Sequence, residues 1–181
     1  MTKVLIPLAQ GCEELEAVTV IDILRRAGIQ VITAGLEPGP VRASRGTVLV
    51  PDTTLDEALR NAFDMIVLPG GMPGSEHLKN DSRVISALQE QAAAGKYTAA
   101  ICAAPMALHA AGLLEGKRAT SFPGVIDDLP GTHHYSDERV VVDGRVVTSK
   151  GPGTAMDFAL TLVELLAGKT KRDVVESELQ R

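Results

Sequence analysis

Buried strands alternate with amphipathic helices from one end of the chain to the other, and this alternation restricts the fold more than any other feature. The apolar runs Lys3–Ala9, Met65–Leu68 and Tyr97–Ile101 predict buried strands. The apolar spacing within Glu13–Ala27 predicts a helix. Such alternation favours a mainly parallel sheet covered by helices on both faces. The sequence therefore predicts an α/β fold in one domain spanning residues 1–181.

Turn and capping signals set the limits of the remaining elements. Gly28 and Gly95 are typical of helix ends, and Asp143-Gly144 favours a two-residue hairpin turn. The other predicted elements are the strand Val31–Ala34, short strands within Val41–Val50, the helix Leu55–Asn61, a helix from Asp81 or Ser82 to Ala94, the helix Ala104–Leu114, a hairpin over Val140–Thr148, the helix Thr154–Leu166 and a short terminal helix Val174–Leu179.

Charge and cysteine usage disfavour several classes of protein. The 18 Lys and Arg against 23 Asp and Glu give a net charge of −5 without a long basic run, which disfavours a nucleic-acid partner. No apolar run approaches the ~20 residues of a membrane helix, and the N-terminus enters a strand without a signal peptide. Cys12 and Cys102 lie outside any CxxC pair and form no zinc signature with the histidines. We therefore expect a cytoplasmic protein with two free thiols, no membrane partner and no bound metal.

Cys102 lies in the segment Thr98–Met106, where a buried strand gives way to a helix. Ligands of open α/β sheets bind at the carboxyl ends of the strands, so a side chain at this turn faces the crevice. Unpaired N–H groups at the start of the new helix favour thiolate over thiol. A reactive cysteine is the favoured interpretation, although a buried and inert cysteine also fits the composition.

Two loops are expected to reach the same edge of the sheet as Cys102. The segment Leu68–Gly74 follows a buried strand, and its glycine N–H groups could form an oxyanion hole with the amide of Ala103. An ordinary glycine turn is the alternative. In the other loop, Glu16 could turn inward beside the sulfur, whereas Glu13-Glu14 suits the positive end of a helix dipole.

Five segments in collinear order resemble the ThiJ/PfpI superfamily, most closely its DJ-one and YajL-like branch. They are GCEELEAV, IDILRRAG, VLPGGMPG, AAICAAP and TSKGPGTAMDFAL, and together they span nearly the whole chain. The resemblance implies a flavodoxin-like three-layer sandwich with a mainly parallel central sheet, a homodimer and no added cofactor.

The resemblance also implies a reacting pair. Cys102 matches the oxidation-sensitive nucleophile of the family, and Glu16 matches the acid that hydrogen-bonds the sulfur while itself protonated. A carboxyl group beside a thiolate keeps its proton because two adjacent anions repel each other. Such a couple titrates together, so neither pKa belongs to one residue alone.

The other matched positions lie around this pair. Gly71 and Ala103 match the backbone donors of the family, and Arg26 and Arg45 match arginines near the pocket or the dimer contact. Both arginines could instead be solvated surface charges.

Two positions depart from the family pattern. Ala103 follows the cysteine where the peptidase-like branch has a histidine, and Phe122 stands where some DJ-one-like members have one. Catalysis by a histidine base is therefore not expected, which argues against a Cys-His hydrolase or amidotransferase. The pair His133-His134 lies in a polar loop and is a minor candidate for metal binding.

Two functions remain open. In the first, Cys102 attacks the aldehyde of methylglyoxal or glyoxal, and Glu16 shuttles a proton to give a hydroxy acid without glutathione. Removal of glycation adducts, a deglycase activity, is closely related, so the partner is a small aldehyde or a glycated substrate. In the second, the protein is an oxidative-stress sensor or holdase chaperone, because an accessible thiolate oxidises readily to a sulfinate. The first function is preferred.

Overall fold

The computed structural model describes residues 1–181 and contains eleven strands and seven α-helices. The strands are β1 (Lys3–Leu8), β2 (Gln30–Gly35), β3 (Val41–Arg42), β4 (Val48–Leu49), β5 (Thr53–Thr54), β6 (Met65–Leu68), β7 (Tyr97–Ile101), β8 (Arg118–Ala119), β9 (His134–Tyr135), β10 (Val140–Asp143) and β11 (Val146–Ser149). The helices are α1 (Glu14–Arg26), α2 (Leu55–Ala58), α3 (Gly74–Asn80), α4 (Ser82–Ala93), α5 (Pro105–Ala110), α6 (Ala155–Ala167) and α7 (Lys169–Glu178).

The central sheet has seven strands in the order β10-β11-β7-β6-β1-β2-β5. All neighbours pair in parallel except β10, which forms an antiparallel hairpin with β11 at one edge. The chain goes from β1 to β2 on one side and then crosses to β6 on the other side of β1, as in doubly wound sheets. The predicted flavodoxin-like α/β sandwich is confirmed.

Each face of the sheet packs against its own helices. Alternation along β1 sends Val4 and Ile6 into a cluster with Phe158 of α6, while Leu5 enters the opposite cluster with Leu88 of α4. Helices α1 and α6 cover the first face, and α4 and α5 cover the second. The carboxyl ends of the central strands therefore meet between two helical layers, where their loops can form a site.

Two helices differ from the sequence prediction for local reasons. Helix α5 ends at Ala110, four residues before the predicted Leu114, because Gly112 takes a φ of +75° that L-residues rarely adopt. Helix α7 begins at Lys169, five residues before the predicted Val174. Its only buried residue is Val175, so apolar spacing could not reveal the helix. No helix of the structure is both long and apolar enough to cross a lipid bilayer.

Candidate active site

Cys102 directly follows β7 and has an uncommon backbone conformation. Its φ of +64° lies in the left-handed region, which residues other than glycine rarely adopt. The Cys102 N–H donates to the carbonyl of Ser149 at 2.9 Å, and the Cys102 carbonyl accepts from the N–H of Phe122 at 2.8 Å. Because both peptide groups are fixed by distant segments, the fold holds the residue in a conformation that costs ~1–3 kcal/mol by itself. The residue is only 9% exposed.

Glu16 lies in the first turn of α1 and is completely buried. Its Oε2 accepts a hydrogen bond from the Gly70 N–H at 2.8 Å, while Oε1 has no partner of standard geometry. The carboxyl group also interacts with the side chain of Cys102. A Cβ atom added to Gly70 would lie 2.6 Å from both the Cys102 Cβ and the Glu16 Oε2. The acid and the cysteine therefore meet across a glycine that has no room for a side chain.

Burial dominates the titration of this pair. It raises the pKa of Glu16 to about 7, against the lowering effects of the Gly70 N–H and of the neighbouring Cys102 side chain. Burial, followed by the Glu16 charge, raises the pKa of the Cys102 thiol to about 12. The N–H group of Ala103 near the start of α5 does favour the thiolate, as expected, but desolvation of the sulfur outweighs it. Protonation of Glu16 removes the neighbouring negative charge and so makes the thiolate easier to form.

Backbone N–H groups from two loops face the sulfur. Those of Gly71 and Ala103 lower the pKa of Cys102, in opposition to burial. Gly71 has a φ of +90°, and a Cβ on it would lie 2.4 Å from the Glu13 nitrogen. The sequence pointed to Gly71 and Ala103 but missed Gly70, which holds Glu16. The sequence signal that could have found Gly70 is the pair of adjacent glycines after β6. Gly70 faces the Glu16 carboxyl group, and Gly71 faces the Cys102 sulfur.

The two candidate arginines occupy different places. Arg26 lies at the end of α1, with its Nε 2.7 Å from an Asp22 carboxylate oxygen. It follows Glu16 by ten residues, a rise of about 15 Å along the helix, so one chain alone does not bring it to the sulfur. The Arg45 side chain is 80% exposed, and its Nε lies 3.9 Å from the Glu13 carboxylate. Arg45 thus lies at the rim of the site, and the role of Arg26 in a dimer contact stays a prediction.

The histidines with side-chain hydrogen bonds lie elsewhere. The Nε2 atoms of His109 and His133 are 2.6 and 2.7 Å from the carbonyls of Pro130 and Ile126. Their ring centroids are 5.5 Å apart, so His133 packs against His109 rather than forming a site with His134. No group of three or more His, Cys, Asp and Glu side chains is arranged to hold a metal ion.

Neither the thiol of Cys12 nor a sizeable cavity near β2 takes part in the Cys102–Glu16 pair. Cys12 is fully buried, and burial raises the pKa of its thiol to about 11, which leaves it protonated. A cavity of about 370 Å³ opens beside the carboxyl ends of β1 and β2, but Cys102 does not line it. We place the candidate active site at Cys102 because the perturbed acid, the thiol and the backbone donors converge there.

Comparison with known proteins identifies the family. The model of the DJ-1/PfpI family matches residues 2–165. Protein DJ-1 homolog A of Arabidopsis thaliana is 48% identical over 97% of this chain, although the match covers only 46% of that relative's length. The glutathione-independent glyoxalase DJR-1.2 of Caenorhabditis elegans is 40% identical over 90% of this chain and 87% of the relative.

Comparison with a solved structure supports the same family. The crystal structure of Drosophila melanogaster DJ-1beta superposes with a TM-score of 0.95 and 43% identity, covering 99% of this chain and 97% of that one. The agreement in sequence and in fold extends over the region that supplies β1, the glycine loop and the Cys102 turn. The chain belongs to the DJ-1/PfpI family.

Proposed function

We propose that this protein converts small 2-oxoaldehydes, such as methylglyoxal, to 2-hydroxy acids without glutathione. The observation that carries the proposal is the buried pair of Cys102 and Glu16 across Gly70. The pair combines a nucleophile with an acid whose pKa, raised to about 7, suits proton transfer near neutral pH. A relative with 40% identity carries the name of a glutathione-independent glyoxalase, which supports the same reaction class.

The reaction begins with a covalent bond to sulfur. The Cys102 thiolate attacks the aldehyde carbon of methylglyoxal, and the proton held by Glu16 is transferred to the carbonyl oxygen, giving a hemithioacetal. Backbone N–H groups of Gly71 and Ala103 stabilise the negative charge that develops on this oxygen. Burial of the pair strengthens these contacts, because little water screens them.

Glu16 then acts as the base. As a carboxylate it removes the proton from the former aldehyde carbon, and the electron pair forms an enediolate whose second oxygen takes that proton back from Glu16. Glu16 then removes the hydroxyl proton on the first carbon and delivers it to the neighbouring carbon, which gives a thioester of lactate, so one carbon is oxidised while the other is reduced. Water then cleaves the thioester, which releases lactate and regenerates the Cys102 thiol. The sum is methylglyoxal plus water to lactate, and no cofactor enters the balance.

The direct test is turnover of methylglyoxal by the purified protein in a buffer free of glutathione. We expect lactate to form, and we expect Cys102→Ala to reduce the rate by at least about a thousandfold, as loss of a covalent nucleophile does. Cys12→Ala is the matched control, because the protonated Cys12 thiol takes no part in the proposed steps; it should keep the wild-type rate. Lactate production should be followed by an enzyme-coupled assay and by NMR.

A wild-type rate no higher than that of Cys102→Ala would reject the enzymatic proposal. The redox-sensor or holdase interpretation would then take its place if mild peroxide added two oxygen atoms to Cys102 and none to Cys12. A deglycase activity would differ from both in acting on adducts that release no free aldehyde.

We further propose that two copies of the chain associate through an apolar face. Leu15 and Val18 of α1 and Met156 of α6 are all between a third and a half exposed. Leu15 and Met156 line one shallow recess, and Val18 lies one helical turn after Leu15. Clustered exposed apolar side chains of this kind typically mark an interaction surface.

The oligomeric state of the Val18→Asp variant in solution tests this interface. A buried, unpaired carboxylate costs several kcal/mol, so we expect wild-type protein to be a dimer and the variant to be a monomer in multi-angle light scattering. Val142→Asp is the control, because this comparably exposed valine lies on the edge strand β10. A monomeric wild type, or a Val18→Asp protein that remains dimeric, would contradict the proposed face.

A further inference from the structure

The start of α1 holds an unusual concentration of buried charge. Among the 23 Asp and Glu of the chain, only Glu13 and Glu16 are buried. They lie three residues apart, at the N-cap and in the first turn of the same helix. Burial of a carboxylate is costly unless it is well paired, so two such groups in one turn require a reason. The mechanism proposed above uses Glu16 and leaves Glu13 without a role.

The partners of Glu13 do not neutralise it. Its Oε2 accepts a hydrogen bond from the Ser44 hydroxyl at 2.9 Å, but that same hydroxyl also lies 3.2 Å from the Glu14 carboxylate. One hydroxyl hydrogen cannot serve both acceptors fully. The only cation nearby is Arg45, at 3.9 Å and largely in water, where an ion pair is weak. The Glu13 carboxylate is therefore only weakly paired at the edge of the site.

Glu14, by contrast, is well paired although it is the next residue. The N–H groups of Arg45 and Thr47 donate to its carboxylate at 3.0 and 3.3 Å. Burial acts against it, but these hydrogen bonds prevail and lower the pKa of Glu14 to about 2. Glu14 thus fixes the turn between β3 and β4 to the helix. This structural role explains why a charged residue is present at this position.

The backbone of the glycine loop connects Glu13 to the reacting pair. The Glu13 N–H donates to the Gly70 carbonyl at 2.8 Å, and the Gly70 N–H donates to Glu16 at 2.8 Å. We propose that Glu13 is a positioning residue of the cysteine centre, whose negative charge keeps the shared proton on Glu16 and so leaves the sulfur as a thiolate. This inference deepens the proposed function and rests on its assignment of Cys102 and Glu16.

The electrostatics agree with this arrangement. The Glu13 charge adds to burial in raising the pKa of Glu16. The other ionisable groups that face the two buried acids are Glu14 on the same helix, Cys12 in the preceding loop, Cys102 after β7 and Arg45 in the turn after β3. Among these, Arg45 is the only cation and is mostly solvated. The field at Glu16 therefore favours its protonated form.

The experiment measures the alkylation rate of Cys102 by iodoacetamide, followed by peptide mass spectrometry from pH 5 to pH 9. Glu13→Gln keeps an acceptor for Ser44 but removes the charge. We expect it to slow alkylation about tenfold between pH 7 and pH 8, the factor that one pKa unit represents. The lower inflection of the pH profile should also shift to lower pH, because Glu16 then ionises more readily.

Two further variants separate charge from structure. Glu14→Gln removes the same charge one residue away and should alkylate within about twofold of the wild-type rate, while Glu13→Asp keeps the charge and should do the same. A Glu13→Gln protein that alkylates at the wild-type rate with an unshifted profile would overturn the proposal, as would equal slowing by Glu14→Gln. Should Glu13→Gln fail to fold, loss of reactivity in a folded Glu13→Asp protein would also overturn it. Because alkylation needs no substrate, the result stands whether or not methylglyoxal is turned over.

Discussion

We expect Gly70→Ala to reduce the alkylation rate of Cys102 and any turnover of methylglyoxal by at least about a hundredfold. The added Cβ would lie 2.6 Å from the Cys102 Cβ and from the Glu16 carboxylate, and 2.7 Å from the carbonyl of Ile101. These atoms must move apart, and a displacement of ~1 Å at a reacting pair costs about two orders of magnitude in rate. Overpacking should also lower the free energy of unfolding by about 1–3 kcal/mol. Chemical denaturation and alkylation kinetics measure the two effects separately.

Gly153→Ala provides the matched control for this substitution. Gly153 is also near the carboxyl edge of the sheet, but a Cβ there would meet nothing within 4 Å. We expect it to keep the stability and reactivity of the wild type. A Gly70→Ala protein with wild-type alkylation would show that the close approach of Glu16 and Cys102 is not needed for reactivity.

We expect the free energy of unfolding of Glu16→Gln, relative to that of the wild type, to increase between pH 4 and pH 8. In the folded state burial raises the pKa of Glu16 to about 7, from an ordinary value of 4.5. The folded protein thus binds this proton more tightly than the unfolded chain does. The stability that the folded protein gains from binding this proton more tightly is complete below pH 4.5 and is lost as the pH rises through about 7. The amide cannot ionise, so the variant avoids this loss, which amounts to about 3 kcal/mol between pH 4 and pH 8.

The measurement is the free energy of unfolding in urea for both proteins at several pH values. Glu90→Gln serves as the control, because it makes the same substitution at an exposed position on α4. Parallel curves for Glu16→Gln and the wild type would mean that Glu16 titrates as an ordinary carboxylate. The proposed proton transfer near neutral pH would then lose its basis.

The strands of the central sheet were the most predictable part of the fold. The bounds of Met65–Leu68 and Tyr97–Ile101 agree with the structure residue for residue, because these strands are continuous apolar runs covered on both faces. Helix α3 was missed, since it begins at Gly74 inside a segment rich in glycine and proline that reads as a loop. An apolar run therefore predicts the bounds of a strand or helix well only when burial alone determines which residues that element contains.

The places of Cys102 and Glu16 in the fold were predictable, but the energetics of the pair were not. Both residues follow predicted strands that end at the same edge of the sheet, and the family resemblance singled them out. The direction of the Cys102 pKa could not, since it depends on how much water the fold removes from the sulfur. The contribution of Gly70 was hidden for a similar reason, because only the three-dimensional contact shows which of two adjacent glycines touches the acid.

The left-handed turn at Cys102 has a consequence for the order in which the protein matures. The turn is held by Ser149 and Phe122, both of which are synthesised after the cysteine itself. A chain that stops before Ser149 lacks one of these anchors, so the left-handed turn can be held in place only once β11 has been made and pairs with β7.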